Sequence, residues 1–149
     1  MERSLTRDST PAQLLAALFG ATFVLIGILG FIPGVTSHLY GGLDFAGHNS
    51  EAKLFHVFQV SWLHNIVHLA FGLAGLLLAR TWETARLFLI GGGFVYLILW
   101  FYGLVIGTST KANFVPLNTA DNWLHFALGA AMIVCGFATT REQHAVPVT

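Results

Sequence analysis

The chain has 149 residues, of which 55% are hydrophobic and only 9% are charged. Soluble domains carry about 25% charged residues, so this composition argues against a soluble globular protein and favours a membrane protein. Seven basic residues balance seven acidic ones, which gives no reason to expect a nucleic-acid partner. The single cysteine, Cys135, excludes an internal disulfide.

Four apolar runs are long enough to cross a bilayer as helices. A spanning helix needs about 20 mostly apolar residues. Four segments meet this requirement: residues 12–33, 58–79, 85–107 and 120–139. Polar tails, residues 1–10 and 141–149, flank them. The sequence therefore predicts a single all-α domain over residues 1–149, an integral membrane four-helix bundle whose main partner is the lipid bilayer.

The first span has a clear start signal. Thr10 can cap a helix whose first turn contains Pro11. The apolar run that follows is longer than the roughly 7–15 residues of a signal-peptide core, and no small-residue cleavage site comes after it. We expect this segment to be retained as a membrane span.

The connections between the predicted spans differ in character. Residues 34–54 are rich in glycine and should be largely irregular. Asn49, Ser50 and Glu51 resemble a helix start, which would extend the second helix beyond its membrane part. The turn at residues 80–83 is short, so the second and third spans should be antiparallel neighbours.

The distribution of Lys and Arg predicts the orientation. Cytoplasmic loops of membrane proteins carry an excess of these residues. With four spans, both termini and the loop between spans two and three share one side. That side holds Arg3, Arg7, Arg80, Arg86 and Arg141, whereas the other side holds Lys53 and Lys111. The sequence therefore predicts a multi-pass protein of the plasma (inner) membrane with both termini in the cytoplasm.

An Asn-x-x-His-x-x-x-Gly motif occurs in the second span and again in the fourth. The first copy is Asn65, His68 and Gly72. The second copy is Asn122, His125 and Gly129. These spacings place the three side chains of each copy on one helix face. Polar residues are costly inside a membrane helix, so the repeated motif marks a contact face or a functional site.

Two glycine pairs repeat in the same way. Gly30-x-x-x-Gly34 lies at the end of the first span, and Gly103-x-x-x-Gly107 lies at the end of the third. Glycines four residues apart let helix backbones approach closely. Together the two kinds of repeat favour two helix hairpins related by an axis along the membrane normal. Such glycine faces are also compatible with a homo-oligomer or a membrane-protein partner.

The motif segments carry a family resemblance. The segment from Trp62 to Leu69, followed by Gly72 and Gly75, is one of them. The segment from Asn118 to His125, followed by Gly129, is the other. Both resemble the signature segments of a bacterial membrane family catalogued as domain of unknown function 4383. The resemblance covers the four spans. It implies a four-helix integral membrane protein and implies no activity.

Four polar residues on the second and fourth spans form the candidate site. His64 and His68 share a helix face, and Asp121 and His125 occupy the equivalent positions. We expect the second helix to pack on the fourth through Asn65, His68 and Gly72 and their counterparts. The leading interpretation is structural, because His and Asn form interhelical hydrogen bonds worth about 0.6–2 kcal/mol. The protein would then be a structural or accessory membrane component.

Other hypotheses use the same residues. Three imidazoles and a carboxylate would suit a transition metal bound by His64, His68, Asp121 and His125. Alternatively, His68 and His125 could be axial ligands of a haem in a membrane redox protein. A third hypothesis is a small transporter or proton relay. No motif assigns a catalytic residue, so an enzymatic role is not favoured.

Overall fold

The computed structural model describes residues 9–107 and 109–139. This part is mostly helical with one small sheet. Its elements, in chain order, are α1 (Pro11–Leu29), β1 (Thr36–Ser37), α2 (Leu39–Gly42), β2 (Lys53–Leu54), β3 (Phe58–Gln59), α3 (Trp62–Leu78), α4 (Trp82–Val105) and α5 (Thr119–Ala138). The predicted tails lie almost entirely outside the described residues, and so do Arg3, Arg7 and Arg141.

Three of the longer helices could cross a membrane. These are α1, α4 and α5, each of which is long and apolar enough. The remaining long helix, α3, is apolar but has only 17 residues. The predicted second span began at residue 58, whereas α3 begins at Trp62. The prediction of an apolar, mainly helical protein is therefore confirmed, while α3 is shorter than expected.

The helices begin where the sequence supplies capping groups. Thr10 caps α1 and Pro11 is its first residue, as predicted. The Thr10 hydroxyl and the Gln13 side chain satisfy each other's backbone amides in a capping box. Asn118 and Asp121 form the same arrangement at the start of α5. These local contacts fix the first turns of the first and last helices.

The predicted helical extension after residue 49 is wrong. Residues 36–59 instead contain a three-stranded antiparallel sheet in the order β1-β2-β3. The Ser50 hydroxyl donates to the Val60 carbonyl, and the Glu51 amide donates to the Gly42 carbonyl. Because these groups bond across the loop, they are not available for a helical turn. Phe55 and His56 adopt positive φ angles and form the tight turn between β2 and β3.

The longer helices pack most closely in two pairs. The main partner of α1 is α3, and the main partner of α4 is α5. Gly20 and Gly72 make the first close contact, because a Cβ on Gly72 would lie only 2.6 Å from the Gly20 carbonyl oxygen. Gly93 and Gly129 make the second, at 2.8 Å for a Cβ on Gly93 from the Gly129 oxygen. We call α1 with α3 the first half and α4 with α5 the second half.

The expected packing of the second predicted span on the fourth, that is of α3 on α5, is therefore corrected. Gly72 faces Gly20 and Val24 of α1, and Gly129 faces Gly93 and Leu97 of α4. Each motif glycine contacts the other helix of its own half. The reason is geometric, since two backbones approach this closely only where both present a small residue, and α1 and α4 supply those residues.

The two halves meet mainly through α1 and α4. At their contact the Phe23 and Tyr96 rings stack with centroids 5.2 Å apart and planes 11° apart. Both rings are buried, as are Leu89 and Met132 next to them. This aromatic stack lies beside the motif histidines.

Candidate functional site

Three histidines from the two motif helices gather between the halves. His64 and His68 of α3 stack on each other with ring centroids 4.3 Å apart. His125 of α5 is 4% exposed and lines the same two cavities as His64 and His68. We call these three residues the histidine cluster. The imidazoles of α3 and α5 therefore border the same cavities, although the glycines of these helices face elsewhere.

An aromatic chain connects the motif histidines through the centre of the protein. His68 lies edge-on to Phe23 at 5.7 Å, and His125 lies edge-on to Tyr96 at 5.2 Å. Phe23 and Tyr96 stack between them. Sequence reasoning identified the two motif histidines but missed Phe23 and Tyr96. A phenylalanine in an apolar helix carries no signal that separates it from its neighbours.

The imidazole rings have no polar partners within the described part of the chain. No hydrogen bond joins the rings of His64, His68 or His125 to another described residue. The Nδ1 atoms of His68 and His125 are buried and unpartnered. Most buried side-chain polar atoms in proteins have a partner, so these two nitrogen atoms need an explanation.

Asp121 uses its carboxylate for the backbone. Its Oδ2 atom accepts from the Asn118 amide at 2.9 Å and from the Gln59 amide at 3.1 Å. The first bond belongs to the capping box of α5, and the second attaches β3 to the start of that helix. Sequence reasoning missed Gln59, because only the fold of the loop brings its amide to this position.

The arrangement gives the metal hypothesis no geometric support. Within residues 9–107 and 109–139, no group of three or more His, Cys, Asp or Glu side chains is placed to hold a metal ion. The proposed ligand set was His64, His68, Asp121 and His125. Its carboxylate is held by backbone amides, and two of its imidazoles stack face to face. Ligands of one metal ion instead point their donor atoms at a common centre.

The cavities beside the motif histidines are small compared with a haem, and the haem hypothesis stays a prediction. His68 and His125 border two cavities of about 170 and 140 Å³. An apolar cavity of about 150 Å³ takes up a single benzene ring. A porphyrin contains four linked rings and is larger than either space.

The motif asparagines contact glycines near the ends of α1 and α4. Asn65 packs against Gly30, and Asn122 packs against Gly103, so closely that a Cβ on either glycine would overlap the amide. The Asn122 Nδ2 atom donates to the Gly103 carbonyl at 3.1 Å. Asn65 is completely buried, yet neither atom of its amide has a partner.

The second glycine of each predicted pair does not lie at a helix contact. α1 ends at Leu29, and Gly34 follows in a turn with φ +86° and nothing near its Cβ position. α4 ends at Val105, and the Cβ position of Gly107 approaches only Thr110 of the following loop. The helices end before these glycines, so the expectation that Gly34 and Gly107 mediate interhelical packing is corrected.

Two cavities flank the histidine cluster. The α3/α4 cavity, about 170 Å³, lies between α3 and α4 and is closed at one end by residues 114–116. The α1/α5 cavity, about 140 Å³, lies between α1 and α5 and is closed by residues of β2, β3 and their turn. Each cavity therefore occupies a seam between the halves. The histidine cluster borders both.

The fold thus defines a class: a mainly helical protein with three apolar helices compatible with a membrane, and a buried histidine cluster between its halves. The profile of the family described as Domain of unknown function (DUF4383) matches residues 13–138. The chain belongs to this family. No curated protein and no solved structure matches it.

Proposed function

We propose that the chain is a single-domain, four-helix integral membrane bundle in which α1, α3, α4 and α5 all cross the bilayer. At 1.5 Å per residue, the 17 residues of α3 rise about 26 Å, within the lower range for spanning helices. Large apolar side chains on α1, α4 and α5 face outward, such as Leu18 (62% exposed), Ile98 (66%) and Val134 (64%). Lipid is the environment that suits such a surface.

The proposed location is the plasma (inner) membrane. The proposed orientation places both termini in the cytoplasm. The turn between α3 and α4 contains Arg80, and Arg86 follows in the first turns of α4. The loops at the other end contain Lys53 and Lys111. The basic residues of the terminal tails add to the cytoplasmic side.

A reporter fusion tests this topology. A fluorescent protein that folds only in the cytoplasm, fused after Thr149, should be bright, and a periplasm-active phosphatase at the same position should be silent. The same pair inserted at Gly41, in the loop before α3, should give the opposite result. A bright cytoplasmic reporter at both positions would overturn the four-span topology, because an even number of spans, rather than three, would then separate the two sites.

The role that the geometry supports best is structural or accessory rather than catalytic. The observation that carries this proposal is the use of the motif residues: Gly72 and Gly129 set close helix contacts, and Asn122 and Asp121 bond to backbone. These polar groups hold helices and a loop in place. In a bilayer, packing of small residues and interhelical hydrogen bonds replace the hydrophobic effect as the source of helix association.

We also propose that the halves are a parallel repeat. Gly20 and Phe23 of α1, and Gly30 directly after it, have counterparts Gly93, Tyr96 and Gly103 at one constant offset. The α3 residues Asn65, His68 and Gly72 have counterparts in α5 at another constant offset. Each counterpart makes the matching contact in its own half. Two halves that fold on the same contacts support a duplicated hairpin.

Elemental analysis separates this role from a metal-binding one. We expect the protein purified in mild detergent to contain no stoichiometric transition metal, because the His64, His68, Asp121 and His125 side chains do not converge on one point. The control is the His68→Ala/His125→Ala variant. Near-stoichiometric metal in the wild type that is lost in a folded variant would contradict the structural role.

A further inference from the structure

The two seam cavities have matching walls. α4 lines the α3/α4 cavity with Val95, Tyr96 and Leu99. α1 lines the α1/α5 cavity with the residues at the same constant offset, Thr22, Phe23 and Ile26. Two of these pairs differ in a hydroxyl group: Tyr96 in the larger cavity replaces Phe23, and Val95 replaces Thr22 of the smaller one. These replacements make the two cavities chemically distinct.

The α3/α4 cavity combines an apolar wall with a few unused polar groups. The Tyr96 hydroxyl forms no hydrogen bond with any residue that the structure describes, and Tyr96 is 4% exposed. The imidazoles of His68 and His125 border the same space, and the Nδ1 atom of each has no hydrogen-bond partner among the described residues. Apolar pockets with a small number of convergent polar groups are the usual form of small-molecule sites.

The size and position of the cavity restrict what can bind. A volume of about 170 Å³ is close to that of an apolar cavity that holds one six-membered ring. Val67 and Val95 form part of its wall and are 52% and 47% exposed on the outer surface of the helices. Under the proposed membrane topology this surface faces lipid, so an apolar molecule can reach the cavity from the bilayer.

We propose that the α3/α4 cavity binds an uncharged, lipid-soluble molecule with one ring and an oxygen on that ring, as in a phenol or a quinone. The ring fills the apolar space. The oxygen forms hydrogen bonds with the Tyr96 hydroxyl and with an imidazole of the histidine cluster. A neutral imidazole carries one donor and one acceptor nitrogen, so it can bond to either a hydroxyl or a carbonyl oxygen. The bilayer route rests on the proposed function, whereas binding itself does not.

Fluorine NMR with two probes tests this site on the full chain in lipid nanodiscs. The first probe is 4-fluorophenol, and the second is fluorobenzene, which has the ring without the oxygen. Empty nanodiscs correct for partitioning into lipid. We expect saturable binding of 4-fluorophenol to the wild-type protein, with at least tenfold lower affinity for fluorobenzene.

Matched variants locate the ligand. Leu99→Trp fills the α3/α4 cavity and should weaken 4-fluorophenol binding at least tenfold. Ile26→Trp, its counterpart, fills the α1/α5 cavity and should leave binding within twofold of wild type. Tyr96→Phe gives the larger cavity a phenylalanine, the residue at the equivalent position in the smaller cavity. It should weaken binding of 4-fluorophenol about tenfold without changing binding of fluorobenzene. Val95→Phe replaces Leu99→Trp if the latter does not fold, as judged by circular dichroism.

Three results would overturn the proposal. The first is the absence of saturable 4-fluorophenol binding to folded wild-type protein. The second is unchanged binding in a folded Leu99→Trp or Val95→Phe variant. The third is loss of binding in Ile26→Trp alone, which would place the ligand in the α1/α5 cavity. A failure of the topology reporters would remove the bilayer route but would leave these results intact.

Discussion

The two halves use the same helix contact but different polar chemistry. In both, a glycine of the motif helix meets a glycine of its partner, Gly72 with Gly20 and Gly129 with Gly93. The motif asparagine is hydrogen-bonded in the second half, through Asn122, and unpartnered in the first, at Asn65. Close packing therefore does not depend on the polar residues. Their bonds are an addition that each half uses differently.

The connections of the halves differ even more. In the first half, a long loop with three short strands joins α1 to α3. In the second half, a shorter loop joins α4 to α5. The Tyr102 hydroxyl of α4 donates to the Ala112 carbonyl of this loop. The long loop reaches across to the second half. The backbone amide of Gln59 donates to the Asp121 carboxylate, and the side-chain amide of Asn118 donates to the Val57 carbonyl. One loop thus serves both halves.

The largest effect should come from filling the glycine contacts. Gly72→Leu and Gly129→Leu place a side chain where even a Cβ would overlap backbone. We expect each to lower the free energy of unfolding by about 3 kcal/mol or more. Unfolding in mixed detergent–SDS micelles measures this change.

A third glycine provides the control for that experiment. Gly91 of α4 has nothing within 4 Å of its Cβ position, so Gly91→Ala should be neutral or stabilising by up to about 1 kcal/mol. Equal destabilisation at Gly91 and Gly72 would mean that flexibility of the helix, rather than close approach, explains the glycines.

The second largest loss of stability should come from removing helix caps, and the size of this loss should differ between the halves. Asp121→Ala removes the acceptor of two backbone amides, from Asn118 and Gln59, and Asp121 is 2% exposed. We expect a loss of about 2 kcal/mol, against about 1 kcal/mol for Gln13→Ala in the capping box of α1. The same micelle titration compares them. A smaller loss at Asp121 than at Gln13 would contradict the attachment of the loop through Gln59.

The smallest effect should distinguish the two asparagines. Asn122→Leu removes the bond to the Gly103 carbonyl and should cost about 1 kcal/mol. Asn65→Leu removes a buried amide without partners, so it should be neutral or stabilising. Their difference in unfolding free energy is the observable. Equal losses at both sites would show that the halves use their asparagines in the same way.

The sequence predicts the helices well for a simple physical reason. A run of about 20 apolar residues has few alternatives to a helix, and Thr10 with Pro11 marks a start that no tertiary contact needs to create. The motif spacing also places Asn65, His68 and Gly72 on one face. It does not say which helix receives that face, because any helix with a small residue at the right height can pack there.

The structure of the loop before α3 and the aromatic stack cannot be predicted from the sequence in this way. The strands of residues 36–59 are two residues long, and they depend on bonds such as that from Ser50 to Val60, which form only once the loop is closed. Phe23 becomes informative only when α1 meets α4 and its ring lies on Tyr96. Both features depend on contacts between segments distant in sequence.

The contact between the halves is tested most directly by nuclear Overhauser measurements on the protein in detergent micelles. The chain has three tyrosines, so Tyr96→Phe identifies the Tyr96 ring signals. We predict cross-peaks from the Tyr96 ring to Phe23 of α1 and to His125 of α5, at ring separations of 5.2 Å in each case. Cross-peaks from Tyr96 to detergent chains, with none to Phe23 or His125, would contradict the packing of the halves around this stack.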